Sequence, residues 1–210
     1  MNQIETLDEL KNIRQLMERS TRYLTLSGLS SILAGTFALL GATSAYLYLN
    51  SNNMIWDLKF RPLGDYSIDP RIILLSIAFI VFILAFGSGV FFTKRKAAKT
   101  GMSLWNAQAK RTFIQFAIPL FTGAVFCLLL IWHNNIAMVA SASLVFYGLA
   151  LLNAAKYTFS ETHQFAISQI VLGIFAGIFL CYGIFFWAMG FGIFHIIFGI
   201  VIHYRYEKKS

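Results

Sequence analysis

Charge is scarce in this chain. Asp, Glu, Lys and Arg make up 12% of its 210 residues, and nine residues are acidic. An ordinary soluble domain is about a quarter charged and under half apolar; here 58% of residues are hydrophobic and the mean hydropathy is +0.66. That balance excludes a disordered chain, a disulfide-stapled secreted domain and a nucleic-acid-binding domain. Cysteine is equally sparse. Cys127 and Cys181 lie deep in apolar runs, form no CxxC pair and are expected to act as small hydrophobic residues without a structural disulfide. Such a chain has lipid as its main solvent.

Long uncharged runs fill the space that charge leaves. A helix rises about 1.5 Å per residue and the hydrocarbon core is about 30 Å thick, so one crossing needs roughly 20 apolar residues. Leu24 to Leu49, Ile72 to Thr93, Thr112 to Trp132 and Ile136 to Leu152 contain no Asp, Glu, Lys or Arg. Phe165 to Ile202 is also free of them, and its 38 residues would extend about 57 Å as one helix. It must fold back, and its glycines place the turn between Gly183 and Gly190, with Trp187 at the interface. The reading is an all-α polytopic membrane protein whose six spans cover about 24–49, 72–93, 112–132, 134–152, 165–186 and 188–204. Continuous apolar runs exclude a membrane β-barrel, whose strands are shorter and alternate. The first run is too long for the h-region of a signal peptide, so it reads as a helix.

Basic residues orient the bundle. Alternate connections put Lys11, Arg14, Arg19, Arg22, Lys94, Arg95, Lys96, Lys99, Lys110, Arg111, Lys156, Arg205, Lys208 and Lys209 on one side, which is 14 of 17. Lys59, Arg61 and Arg71 lie on the other. Positive residues collect in the cytoplasm, so both termini are expected there. Trp56, Trp132 and Trp187 then belt the outer boundary, and Tyr23, Trp105, Tyr157, Tyr204 and Tyr206 the inner one. The net charge of +8 thus reflects topology rather than a nucleic-acid partner.

Outside the spans, residues 1–22 read as a cytoplasmic amphipathic helix preceding the 23–210 bundle. Thr6-Leu-Asp-Glu9 fits a capping box, and Ile4, Leu7, Leu10, Ile13 and Met17 form one apolar face. This helix either packs on its own bundle or docks on another protomer or a soluble partner. The stretch Ile13-Arg-Gln-Leu-Met-Glu-Arg-Ser-Thr-Arg-Tyr-Leu to Ala42, with Phe194-His-Ile-Ile-Phe-Gly-Ile-Val-Ile-His-Tyr-Arg-Tyr-Glu207, resembles uncharacterised small bacterial multi-span membrane proteins. The resemblance implies a bacterial origin, and with it a bacterial inner membrane, and no functional residue. Lys94, Arg95, Lys96, Lys110 and Arg111 flank an inner loop without acids, for which anionic lipid headgroups are the expected partner.

The spans' lack of ionisable side chains argues against a pump, a proton-coupled transporter and carboxylate catalysis. No Walker-type loop, HExxH or GxSxG is present. Histidine is the exception. His195 and His203 share a face of the last helix with Gly199 between them, and His163 lies near the inner side. These imidazoles are candidate haem ligands, or His195 bonds a neighbouring helix through a residue such as Gln115 or Ser143. Gln115, Thr122, Ser143 and His195 also make up a candidate polar pocket beside Pro119, where a kink is expected. The Ser27, Ser31, Gly35 and Gly173, Gly177 stripes are expected to serve packing within the chain. The leading expectation is a non-enzymatic assembly, sensing or regulatory membrane component. A small permease or channel for a neutral or apolar solute is the alternative, and a haem-binding redox protein is the second.

Overall fold

The computed structural model describes residues 27–54, 69–100 and 107–207. The expected amphipathic helix at 1–22 lies outside the described residues, as do Trp56, Trp105 and most of the 50–71 connection. Most of the described residues are helical, with no strand among them. Six helices follow in order: α1 (Gly28–Ser51), α2 (Pro70–Thr100), α3 (Ala107–Trp132), α4 (Ile136–Ala155), α5 (Glu161–Ile178) and α6 (Leu180–Glu207). All but α5 are long and apolar enough to cross a membrane.

The helix ends follow from local chemistry. Asn53 and Asn134, after α1 and α3, take left-handed backbone angles (φ 55° and 56°). Each lets the following amide reach back five residues, Met54 N to Leu49 O and Asn135 N to Leu130 O, both at 2.8 Å. Asparagine here takes the place that glycine commonly holds at a helix C-terminus. Helix α2 opens on Pro70, whose missing N–H costs nothing in a first turn. Asp69 caps it, its Oδ1 accepting from the Arg71 amide at 2.9 Å. Helix α3 runs unbroken through Pro119.

The long apolar run folds back earlier than its glycines indicate. The break is at Phe179 (φ −108°, ψ 66°), and Gly183 to Gly190 lie inside α6 rather than in a turn. The spans expected at 165–186 and 188–204 are therefore helices at 161–178 and 180–207, and Trp187 sits within α6, packed on Phe191. The glycines answer to packing: a Cβ on Gly183 would stand 3.2 Å from Ala140, and one on Gly190 would be 2.6 Å from Gln169 Oε1. Helix α6 is not uniform. Its turns widen over Ala188–Phe194 and again over His203–Glu207, with regular α-helix between them.

Helix α1 joins α2 to α6, α6 lies against α4 and α5, and α4 carries α3 on its other side. The α1–α6 contact is made backbone to backbone. A Cβ on Gly28 would meet the Gly199 carbonyl at 2.5 Å, and one on Gly35 would meet the Gly192 carbonyl at 2.6 Å. The two pairs are seven residues apart on each antiparallel helix, two turns of one seam. Lipid leaves little hydrophobic drive between helices, so this close approach is what holds them. Gly173 does the same for α5 against Ser141 and Val145 of α4. The core beside these seams is Leu144, Leu172 and Ala176, continued by Leu151, Phe165 and Ala166.

Candidate functional site

Polar side chains buried in the apolar bundle converge where α4, α5 and α6 meet. Gln169 of α5 is fully buried and donates its Nε2–H to the Gly190 carbonyl of α6 at 2.8 Å. The ring of His195, 8% exposed, stands 3.1 Å from the same oxygen through Nδ1. Its Nε2 is 2.7 Å from the hydroxyl of Tyr147 on α4. A carbonyl can only accept, so the neutral ring carries its proton on Nδ1, and Nε2 accepts from the Tyr147 O–H. The widened turn of α6 positions this arrangement: backbone bonds there reach back five residues, and His195 is five residues after Gly190.

Aromatic rings enclose the imidazole. Tyr147 stacks on it at 5.3 Å, Phe165 meets it edge-on at 4.8 Å and Phe191 lies at 5.9 Å. Two further bonds cross between helices nearby. Ser141 Oγ donates to the Gly173 carbonyl at 2.7 Å, and Ser31 Oγ to the His195 carbonyl at 2.9 Å. Gln169 Oε1 is buried without a hydrogen-bond partner among the described residues. Chemically, the cluster fixes one imidazole tautomer and joins three helices.

A second cluster lies at the end of the bundle where α1 and α5 begin and α2 and α6 finish. Beyond the uncharged stretch of α6, Glu207 accepts from the Gly28 amide at 3.1 Å and Lys96 Nζ at 3.2 Å through Oε1. Its Oε2 lies 2.7 Å from His203 Nδ1. A carboxylate from the last helix thus caps the first, whose own Ser27 makes no side-chain cap. Burial pushes the Glu207 carboxyl up, but the bonds from His203, Gly28 and Lys96 outweigh it and hold it below its ordinary range. Glu161, at the start of α5, pairs with Arg205 Nη1 at 2.6 Å and accepts from Tyr206 Oη at 3.1 Å. Lys96 also lies 5.7 Å from the centre of the Phe159 ring, against which Tyr206 packs.

The residues singled out in the sequence fall in several places. His195 is bonded to a neighbouring helix, but through Tyr147 rather than Gln115 or Ser143. Both of its ring nitrogens are engaged by protein, which leaves neither free for iron in this arrangement. His203 is held by Glu207, and His163 is exposed. No hydrogen bond unites the expected pocket. Gln115 is exposed, Thr122 donates to Ile118 O and Ser143 donates to Ala140 O, each within its own helix. Of the five inner-loop cations, Lys94, Arg95, Lys110 and Arg111 are exposed, while Lys96 is drawn to Glu207. Tyr147 and Gln169 were the residues missed. A tyrosine well inside an apolar run, away from the interfacial belts, is itself a signal that its hydroxyl has a partner.

Compared with protein-family models, curated proteins and solved structures, the chain matches none.

Proposed function

We propose that this chain is a multi-pass protein of a bacterial inner membrane that works without catalysis, as an assembly, sensing or regulatory component. In this reading α5 is the sixth span. Its 18 residues extend about 27 Å, close to the hydrocarbon thickness. Of its polar side chains, Glu161 and Gln169 are turned inward to partners. Six spans, with most basic residues on one side, put both termini in the cytoplasm.

The observation that carries the functional reading is the clamp on the first residues of α1. The segment before Ser27 leads directly into Gly28, which is bonded to Glu207 and pressed against Gly199. A partner that engages residues 1–22 therefore pulls on the α1–α6 seam and, through Lys96, on α2. The polar groups of the bundle serve this coupling by joining helices.

The test is recovery of cross-linked partners from membranes that express the full chain or a chain lacking residues 1–22. A partner present with the first and lost with the second is expected, and identical partner lists would overturn the reading. Reporter fusions at both termini test the topology, with cytoplasmic signals expected at each end.

A further inference from the structure

Helix α6 holds two widened turns, Ala188–Phe194 and His203–Glu207, one on each side of the regular stretch His195–Ile202. A wide turn carries a surplus residue, because its backbone bonds span five residues instead of four, and such turns recur at functional sites. The stretch between the two lies against the backbone of α1, with Gly199 on Gly28 and Ile32. Apart from His195 and Gly199, its side chains are Ile, Val and Phe. One apolar side chain replaces another at little cost where lipid is the solvent, so polar bonds and the glycine fix how this stretch is turned. At the first wide turn, Gln169 holds the Gly190 carbonyl, Tyr147 the His195 ring and Ser31 the His195 carbonyl. At the second, Glu207 is tied to Gly28 and Lys96. These latches come from α1, α2, α4 and α5.

We propose that His195–Ile202 is a rotating segment. The surplus residue of the first wide turn passes to the second, and the stretch between them turns by one residue, about 100°, while the helix on either side keeps its place. Tightening the first turn carries each side chain forward along the winding, so Phe198 arrives where Gly199 stood. In the structure Phe198 stacks on Phe165 of α5, ring centres 4.6 Å apart, and Ile200 is exposed on the other flank of Gly199. After the turn Ile197 takes the place of Phe198 on Phe165, apolar for apolar. The seam leaves no room for a Cβ at this position, so α1 parts from α6 once Phe198 faces it. The closed seam and the turned segment therefore exclude each other, and a pull on the chain before Ser27 selects the turned one. That last coupling rests on the function proposed above. The rotation itself does not, and its test needs no partner.

The experiment is disulfide trapping of the full chain in membranes, with Cys127→Ala and Cys181→Ala as background. The pair I32C/F198C reports the turned segment, and I32C/I200C, on the opposite flank of Gly199, reports a seam that merely loosens. Gln169→Met removes the latch on the Gly190 carbonyl with a side chain of similar length. It should raise the trapped fraction of I32C/F198C at least threefold and leave I32C/I200C unchanged. Glu207→Gln, which weakens the latch at the second wide turn, should act in the same direction. Where the Gln169 variant fails to accumulate in the membrane, the Glu207 variant decides alone. An equal rise in both pairs would show loosening without rotation, and an unchanged I32C/F198C yield would show a fixed helix. Either result overturns the proposal, whatever partners residues 1–22 recover.

Discussion

A methyl group added at Gly199 would stand 2.6 Å from the Gly28 carbonyl oxygen and 2.8 Å from the Ile32 amide nitrogen, whereas one added at Gly87 would meet nothing within 4 Å. Both glycines belong to apolar helices of one chain, but the α1–α6 seam and the α2 face use them oppositely. In the seam, the missing side chain lets two backbones touch. On α2, it leaves a notch open to the surroundings, on a helix whose most apolar 18-residue stretch has no buried residue. Apolarity does not distinguish a core helix from a peripheral one when lipid is the solvent. What distinguishes them is where small residues face backbone and where polar side chains find partners on another helix.

The largest expected effect breaks this contrast at the glycines. Gly199→Ala drives a Cβ into backbone atoms that cannot rotate away, so α1 and α6 must separate, at a cost of about 1–3 kcal/mol or more. Gly87→Ala is expected to be neutral or to stabilise by up to about 1 kcal/mol through helix propensity. Thermal unfolding of the two variants in the same detergent checks both, and equal losses would remove the distinction between seam and periphery.

Next in size is the imidazole cluster. Tyr147→Phe leaves His195 Nε2 buried without a donor, at a cost of about 1–3 kcal/mol. His195→Phe frees Tyr147 of its partner and Gly190 O of one donor. Because the two residues share one bond, the double variant should lose less than the sum of the single losses. Strict additivity in denaturation measurements would mean that the Tyr147–His195 bond contributes nothing. A smaller effect separates interhelical from local bonds. Ser141→Ala removes a bond from α4 to α5 and should cost about 0.6 kcal/mol, up to about 1.7. Thr122→Ala removes only a bond within α3 and should be near neutral, as the same melts would show.

The spans were legible because a run of apolar residues matched to the bilayer has few other uses. The same property hid the turn after α5: in an apolar run, glycine marks close packing as readily as a bend, so Gly183 and Gly190 pointed four to eleven residues too late. That His195 bonds across helices was legible from the cost of an unpaired imidazole in lipid. Its partner was not, because register between helices sets which hydroxyl lies opposite, and a single sequence carries no register. The Glu207 clamp was hidden for a related reason. It joins residues 179 positions apart, through a widened last turn that nothing in the local sequence announces.

Acid should erase the clamp before it disturbs the buried seam. The Glu207 carboxyl titrates lower in the folded chain than the unfolded value of about 4.3. A depressed carboxyl stabilises the fold above that unfolded value, and its contribution is lost as pH falls through the folded one. Glu207→Gln should therefore lower stability relative to the parent at pH 7, and the gap should close as pH falls below about 4. Ser141→Ala, whose bond joins α4 to α5 and involves no titrating group, should show the same deficit throughout. Melting each variant at pH 7 and at successive steps below pH 4 checks the pair, and a Glu207→Gln deficit that persists unchanged in acid would show that the carboxylate's charge plays no part in holding α1 to α6.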